Sequence, residues 1–157
     1  MSRVVVEATP RAGVFGWRRV GEAVPVWVRA VTVIALAGMA YCHLADVGMK
    51  FDEHVYYMGA LFCSNIAASL LLIPAVALAG DTSGRGRLAW LAAGALALLT
   101  IAGFLWSRTV GFPQMADHIG QWDALGLASV GFELTVVATS VWVLGGRSRG
   151  YHSPRRQ

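Results

Sequence analysis

The sequence predicts an all-α integral membrane protein, built as a bundle of four membrane-spanning helices. Hydrophobic residues make up 56% of the 157 residues and charged residues only 14%, whereas soluble domains carry roughly 25% charged residues. Mean hydropathy is +0.56. A soluble chain of this length has too little interior to bury so much apolar side chain. A bilayer is therefore the expected solvent of most of the chain.

Four apolar windows have about the 20 residues needed to cross ~30 Å of hydrocarbon. They are residues 26–45, 55–79, 88–106 and 124–144. All four are expected to be helices, because lipid offers backbone N–H and C=O groups no other partner. The first is expected to remain as a span, since residues 37–40 only partly match the small-residue pattern of a cleaved signal.

The basic residues are distributed unevenly around these spans. Of the 13, only Lys50 and Arg108 would lie on one side of the membrane, and the other eleven would lie on the opposite side. Because cytoplasmic loops are enriched in Lys and Arg, both termini and loop 80–87 are expected inside the cell. Loops 46–54 and 107–123 then face outward. The net charge of +4 is interpreted as this topology signal in a multi-pass plasma-membrane protein, and no nucleic-acid partner is predicted.

The regions outside the bundle differ in composition from the spans. Residues 1–24 are predicted to be an interfacial segment, because Trp17 stands beside two arginines in an amphipathic stretch. Residues 25–145 form the predicted bundle. Residues 146–157 are predicted to be a basic, disordered cytoplasmic tail attracted to anionic headgroups. Small residues within the spans favour close packing of helices, both inside the bundle and against a membrane-protein partner or a second copy.

Polar side chains concentrate at the predicted outer end. Helical spacing places Met39, His43, Asp46 and Lys50 on one face of the first span, provided that the helix continues through Gly48. In the second span the same spacing relates four further residues: His54, Met58, Leu61 and Asn65. The short connection makes the two spans antiparallel neighbours, so these two faces can meet.

The outer cluster has a chemical and a structural interpretation. Thioether with imidazole suits copper, and imidazole with carboxylate suits zinc or iron. The candidate metal ligands are Met39, His43, Asp46, His54, Met58 and His118. Haem held between His43 and His54 is a lesser alternative. In the structural interpretation the stretch is only a polar cap, in which Asp52 begins the second helix and Asp123 the fourth.

Glu133 lies about ten residues into the fourth span, roughly 15 Å below the outer surface at 1.5 Å per residue. A carboxyl group at this depth is costly and indicates either a functional site or a polar contact between helices. Asn65 lies at a similar depth in the second span, so a hydrogen bond between the two side chains is expected. The functional alternative is a proton or cation site below the outer polar cluster.

The last outer loop is also rich in polar residues. Residues 111–113, Gly-Phe-Pro, predict a turn, and residues 114–122 are expected to form a short surface helix that covers the His43 end of the bundle. Arg108 is expected to pair with Asp117, Asp123 or Glu133. A surface ion pair of this kind contributes little to stability.

Residues 105–134 carry a recognisable pattern: a Ser-Arg-Thr-Val-Gly-x-Pro turn, an acidic stretch, Ile-Gly-x-Trp, then Ala-Leu-Gly and a Glu in the following span. This pattern resembles small four-span membrane proteins of actinobacteria. One departure is Ala124, where those proteins have Pro before Leu-Gly. The resemblance implies the four-span layout and draws attention to His118, Asp123 and Glu133. It implies no activity, substrate or cofactor.

The sequence has no Walker loop, no GxGxxG and no HExxH motif, so catalysis is not predicted. The main hypothesis is an accessory or interaction protein with an outward-facing polar cluster. Two alternatives remain open: a protein that binds or handles a transition metal outside the cytoplasm, and a proton- or cation-coupled transport component that uses Glu133. A haem-binding redox protein is the minor alternative.

Overall fold

The computed structural model describes residues 23–82 and 84–145. It contains four long helices, α1 (Val26–Asp52), α2 (Tyr56–Leu78), α3 (Gly84–Thr109) and α4 (Ala124–Gly145), each long and apolar enough to cross a membrane. The all-α class and the four spans are therefore confirmed. The predicted interfacial segment and the basic tail lie outside the described residues, except for Ala23 and Val24.

The helices form a four-sided bundle in chain order. α1 packs against α2 and α4, and α3 packs against the same two helices. Short connections between consecutive helices make neighbours antiparallel. Large apolar side chains, including Leu71, Leu78 and Leu99, are exposed on the outside of the bundle, as expected of a surface that contacts lipid.

Packing inside the bundle combines apolar side chains with glycine. Leu36 and Met39 of α1 pack with Trp90 of α3 and Val136 of α4 in one buried cluster. Gly38 lies directly against the ring of Phe132, and a Cβ at this position would come within 2.7 Å of it. Small residues thus let α1 and α4 approach closely.

The end of α1 differs from its sequence-predicted position. Residues 46–52 are helical and not part of a loop, and only Glu53, His54 and Val55 connect α1 to α2. Backbone hydrogen bonds from Glu53 N to Met49 O (2.9 Å) and from Val55 N to Lys50 O (2.9 Å) satisfy carbonyl groups at the helix end. The condition that the helix continues through Gly48 is met.

The connection between α3 and α4 contains a three-residue 3-10 helix, Ala116–His118. This is much shorter than the surface helix expected over residues 114–122. Gly111 and Gly120 have positive φ angles of 88° and 77°, a backbone conformation that glycine adopts without steric cost. They let the segment turn back toward the bundle.

Candidate functional site

A cavity of about 450 Å³ lies between the helices and is lined by residues from all four of them. Most of its wall is apolar. Its polar lining residues are Cys42, His43, Asp46, Lys50, Ser64, Asn65, Thr100, Ser107, Arg108, His118, Asp123, Ser129 and Glu133. The cavity therefore connects the intramembrane polar residues with the cluster at the loop end of the bundle.

Glu133 lies at the deep part of the cavity and is only 1% exposed. Its Oε1 accepts a hydrogen bond of 2.8 Å from Ser129 Oγ, one turn earlier on α4. Its Oε2 is buried and has no hydrogen-bond partner. An unsatisfied buried polar atom of this kind costs about 1–3 kcal/mol, so a hydrogen-bonding group in the cavity would be stabilised at this oxygen.

Asn65 contributes a second intramembrane polar group. Its Nδ2 donates to Thr100 Oγ1 at 2.7 Å, and its Oδ1 accepts from Ser69 Oγ at 3.4 Å. The direct Asn65–Glu133 hydrogen bond expected from their depth is not formed. Both side chains line the same cavity, and Asn65 instead bridges α2 to α3.

One end of the cavity, which we call the mouth, is lined by Lys50, Arg108, His118 and Asp123. Lys50 Nζ donates to Glu53 Oε2 at 3.0 Å and to His118 Nε2 at 3.2 Å. His118 Nε2 is 4.0 Å from Glu53 Oε2. These contacts join the end of α1 to the connection between α3 and α4, so the two predicted outer loops meet.

Arg108 forms the second charged contact at the mouth. It pairs with Asp123, which is one of the three partners that the sequence suggested. Its guanidinium also lies 5.0 Å from the centroid of the Phe104 ring. Asp117 is in the 3-10 helix, but its side chain lies outside the described part of the structure.

The two predicted helix caps have different outcomes. Asp123 Oδ1 accepts a hydrogen bond of 2.6 Å from Gly126 N at the start of α4, which is the geometry of an N-cap. Asp52 does not begin the second helix: it is the last residue of α1, and α2 begins after Val55 without a side-chain cap. The longer α1 explains this error.

A small apolar cluster covers the mouth. Met115, from the connection between α3 and α4, packs with Val55 and Met58. Tyr57 OH donates a hydrogen bond to Pro113 O in the same connection. The sequence-based expectation that this segment lies over the His43 end of the bundle agrees with these contacts.

The structure places only some of the candidate metal ligands in the cavity wall. His43, Asp46, Met58 and His118 line the cavity. Met39 is fully buried in the core between helices. His54 lies in the turn after α1 with a φ angle of 61°, is exposed, and packs edge-on against Tyr56. His54 therefore does not continue the Met58–Asn65 face of α2, and it is not part of the cavity wall.

The two candidate histidines that line the cavity, His43 and His118, already contact other groups of the protein. His43 Nδ1 lies 3.0 Å from Met39 O, and its ring packs edge-on against Phe62 with centroids 4.9 Å apart. Within residues 23–82 and 84–145, no group of three or more His, Cys, Asp or Glu side chains is spaced to hold a metal ion. Metal and haem binding thus remain predictions from the sequence.

The sequence analysis did not single out five polar residues of the cavity wall: Cys42, Ser64, Thr100, Ser107 and Ser129. Ser129 could have been found, because a hydroxyl four residues before Glu133 lies on the same helix face. Thr100 carries no such signal, since its role depends on how α2 and α3 pack.

The chain matches no known protein family, and no curated protein or solved structure is similar to it.

Proposed function

We propose that this four-span membrane protein is an accessory protein that binds one small, mostly apolar molecule in the cavity. The observation that carries the proposal is the unpartnered Glu133 Oε2, buried in the cavity wall. A neutral carboxyl group can donate from one oxygen and accept at the other. A ligand hydroxyl or carbonyl would therefore supply the partner that Glu133 lacks.

The size and chemistry of the cavity support this proposal. A volume of about 450 Å³ lies within the range of ligand pockets, which combine apolar walls with a few polar groups. The two described cations at the mouth already face carboxylates, Lys50 with Glu53 and Arg108 with Asp123. An uncharged ligand therefore suits the cavity better than an anion.

A proton- or cation-coupled transport component is the second candidate, and it depends on the same carboxyl group. The two functions differ in what Glu133→Gln should do. Gln keeps hydrogen-bonding groups at this position but cannot ionise. Ligand binding should survive this substitution, whereas transport coupled to a proton at Glu133 should be lost.

The proposed orientation places both termini in the cytoplasm of a plasma-membrane protein. Among the described residues, Arg85 and Arg87 begin α3 at the end of the bundle opposite the mouth. Arg29, near the start of α1, lies at that same end, whereas only Lys50 and Arg108 among the described basic residues lie at the mouth. Because the positive-inside bias depends on Lys and Arg near span ends, the mouth would face outward. Reporter fusions at Gly80 and Gln157 should both indicate the cytoplasm.

Photolabelling with a diazirine-bearing octanol tests ligand binding. The purified protein in lipid nanodiscs should be labelled in its cavity-lining peptides, and excess octanol should reduce that labelling. Glu133→Leu should weaken labelling by about tenfold, since a lost hydrogen bond is worth roughly 1.5 kcal/mol. Ser140→Ala is the matched control, because Ser140 is buried on the same helix but outside the cavity wall.

Two results would contradict ligand binding in the cavity. Label confined to lipid-facing side chains such as Leu71 and Leu98, without competition by octanol, would mean that the cavity does not take up the probe. Equal labelling of the wild type and Glu133→Leu would show that Glu133 does not hold it.

A further inference from the structure

We propose that the ligand enters the cavity from the bilayer, through a side opening between α2 and α3, and is therefore a neutral, membrane-dissolved amphiphile with an apolar body and a hydroxyl or carbonyl head. This inference rests on the proposed function, because it concerns how the same cavity is filled. We call the opening the portal and define it by Leu61, Ser64 and Ala68 of α2 and Leu96, Leu99 and Gly103 of α3.

The exposure of the cavity wall differs between its two sides. Lining residues from α1 and α4, such as Cys42, Ser129 and Glu133, are buried or partly buried, and none of those within the two helices is exposed. On the other side, Leu61 is 55% exposed and Leu99 is 72% exposed, although both line the cavity. The wall is thus closed toward α1 and α4 and open between α2 and α3.

The sequence spacing of the portal is the same on both of its sides. Leu61, Ser64 and Ala68 follow one face of α2, and Leu96, Leu99 and Gly103 follow one face of α3 with the same total span. Every one of these side chains is uncharged. Because α2 and α3 are antiparallel and Asn65 bonds to Thr100, Ser64, Ala68 and Gly103 each lie opposite a leucine, and their small side chains leave space that larger ones would fill.

The portal opens at the depth of the hydrocarbon. Leu61 lies five residues after the start of α2 and Leu99 ten residues before the end of α3, which corresponds to roughly 8–15 Å along the helices at 1.5 Å per residue. At that depth, the molecules that can reach the portal are lipid chains and compounds dissolved among them. A charged group would be costly there, so the ligand that passes is neutral.

The mouth offers a charged route and not an apolar one, because Lys50, Arg108, His118 and Asp123 line it. The contacts of Lys50 with Glu53 and His118, together with the Met115 cluster, lie over the mouth. Inside the portal, the Asn65–Thr100 hydrogen bond bridges α2 and α3. A head group that enters through the portal can hydrogen-bond to Asn65 or Thr100 on its way to Glu133. The apolar body of the ligand then remains between the leucines of the portal.

Alkylation of Cys42 reports on the route of entry. Cys42 lines the cavity, and the second cysteine, Cys63, is exposed on α2, so the measurement uses Cys63→Ala protein in lipid vesicles. N-decylmaleimide and a sulfonated, membrane-impermeant maleimide, the latter present on both sides of the membrane, are compared. Each rate is normalised to the rate of the same reagent with protein unfolded in detergent.

Gly103→Phe closes the portal, and Gly131→Phe is its matched control. Both glycines are helical, and a Cβ at either would meet nothing within 4 Å, but only Gly103 lines the cavity. Gly103→Phe should slow alkylation by N-decylmaleimide by about tenfold, because an aromatic ring fills a gap of this size. Gly131→Phe should stay within about twofold of the parent. Ser64→Leu, on the facing helix, provides a second closure if Gly103→Phe does not fold.

Two outcomes would overturn the portal. Reaction of the sulfonated reagent as fast as N-decylmaleimide, with no effect of the closing variants, would place the entrance at the mouth. Alternatively, Cys42 could resist both reagents, which would mean that neither route admits a small molecule. Photolabelling of Glu133→Leu separately tests whether the cavity binds a ligand, so failure of the portal and failure of the proposed function are distinguishable.

Discussion

Ser129 Oγ donates a hydrogen bond of 2.8 Å to Glu133 Oε1, and the second carboxyl oxygen of Glu133 is left buried without a partner. Both residues belong to α4, so this contact does not join two helices. A carboxyl group placed only to hold helices together would bond across an interface. The arrangement instead leaves a polar atom free at the cavity wall, which is where a ligand head group would bind.

Replacing Glu133 should not destabilise the fold. Glu133→Leu removes an unsatisfied buried oxygen, so the free energy of unfolding should be unchanged or higher by about 1 kcal/mol. Denaturant or thermal unfolding in detergent micelles measures this. Val136→Ala, at a fully buried apolar position on the same helix, should lower stability by about 1–3 kcal/mol. A loss of about 2 kcal/mol or more in Glu133→Leu would identify Glu133 as a structural contact.

Gly38 should be intolerant of a methyl group. A Cβ at this position would come within 2.7 Å of the Phe132 ring, so Gly38→Ala should displace that ring in the α1–α4 contact and cost about 1–3 kcal/mol. Gly131→Ala, where a Cβ would meet nothing within 4 Å, is the control and should be neutral or slightly stabilising. Comparable melting temperatures for the two variants would mean that the α1–α4 contact is looser than described.

Asp123 combines two roles that substitution can separate. Asp123→Asn keeps an oxygen to accept from Gly126 N but loses the charge that faces Arg108. Its cost should be below about 1 kcal/mol, as for an exposed ion pair. Asp123→Ala also loses the cap and should cost roughly 1 kcal/mol more. Equal effects of Asn and Ala would show that the cap contributes nothing measurable.

Elemental analysis of the purified protein tests the metal hypothesis. His118 Nε2 accepts from Lys50, and His43 Nδ1 lies against Met39 O. A cation next to an imidazole nitrogen opposes metal binding at that atom. We therefore expect copper, zinc and iron well below one equivalent. A full equivalent that falls in His43→Ala and His118→Ala, but not in the exposed control His54→Ala, would establish a metal site instead.

The spans could be predicted from the sequence because hydropathy is a property of each segment taken alone. The end of α1 was less predictable. Asp46, Lys50 and Asp52 look like loop residues in composition, yet they are helical, and Lys50 contacts Glu53 and His118. The Lys50–Glu53 contact is local, but the contact with His118 depends on the α3–α4 connection, which no pattern in residues 46–54 describes.

The candidate site was predicted in part. Depth along each span correctly brought Asn65 and Glu133 to one cavity, but their hydrogen-bond partners depend on helix rotation. Thr100 faces Asn65, and Ser129 faces Glu133. His54 was misplaced for a related reason: the turn after α1 gives it a positive φ angle, so the helical spacing that links it to Met58 in the sequence does not apply.

The most direct test of the bound molecule is native mass spectrometry of protein released from lipid nanodiscs. One neutral amphiphile should be retained per chain in the wild type and in Ser140→Ala, and it should be lost from Glu133→Leu. Tandem fragmentation of the retained species would give its mass and reveal its head group. A wild-type chain that carries no such molecule, or one that Glu133→Leu retains equally well, would contradict a ligand site at Glu133.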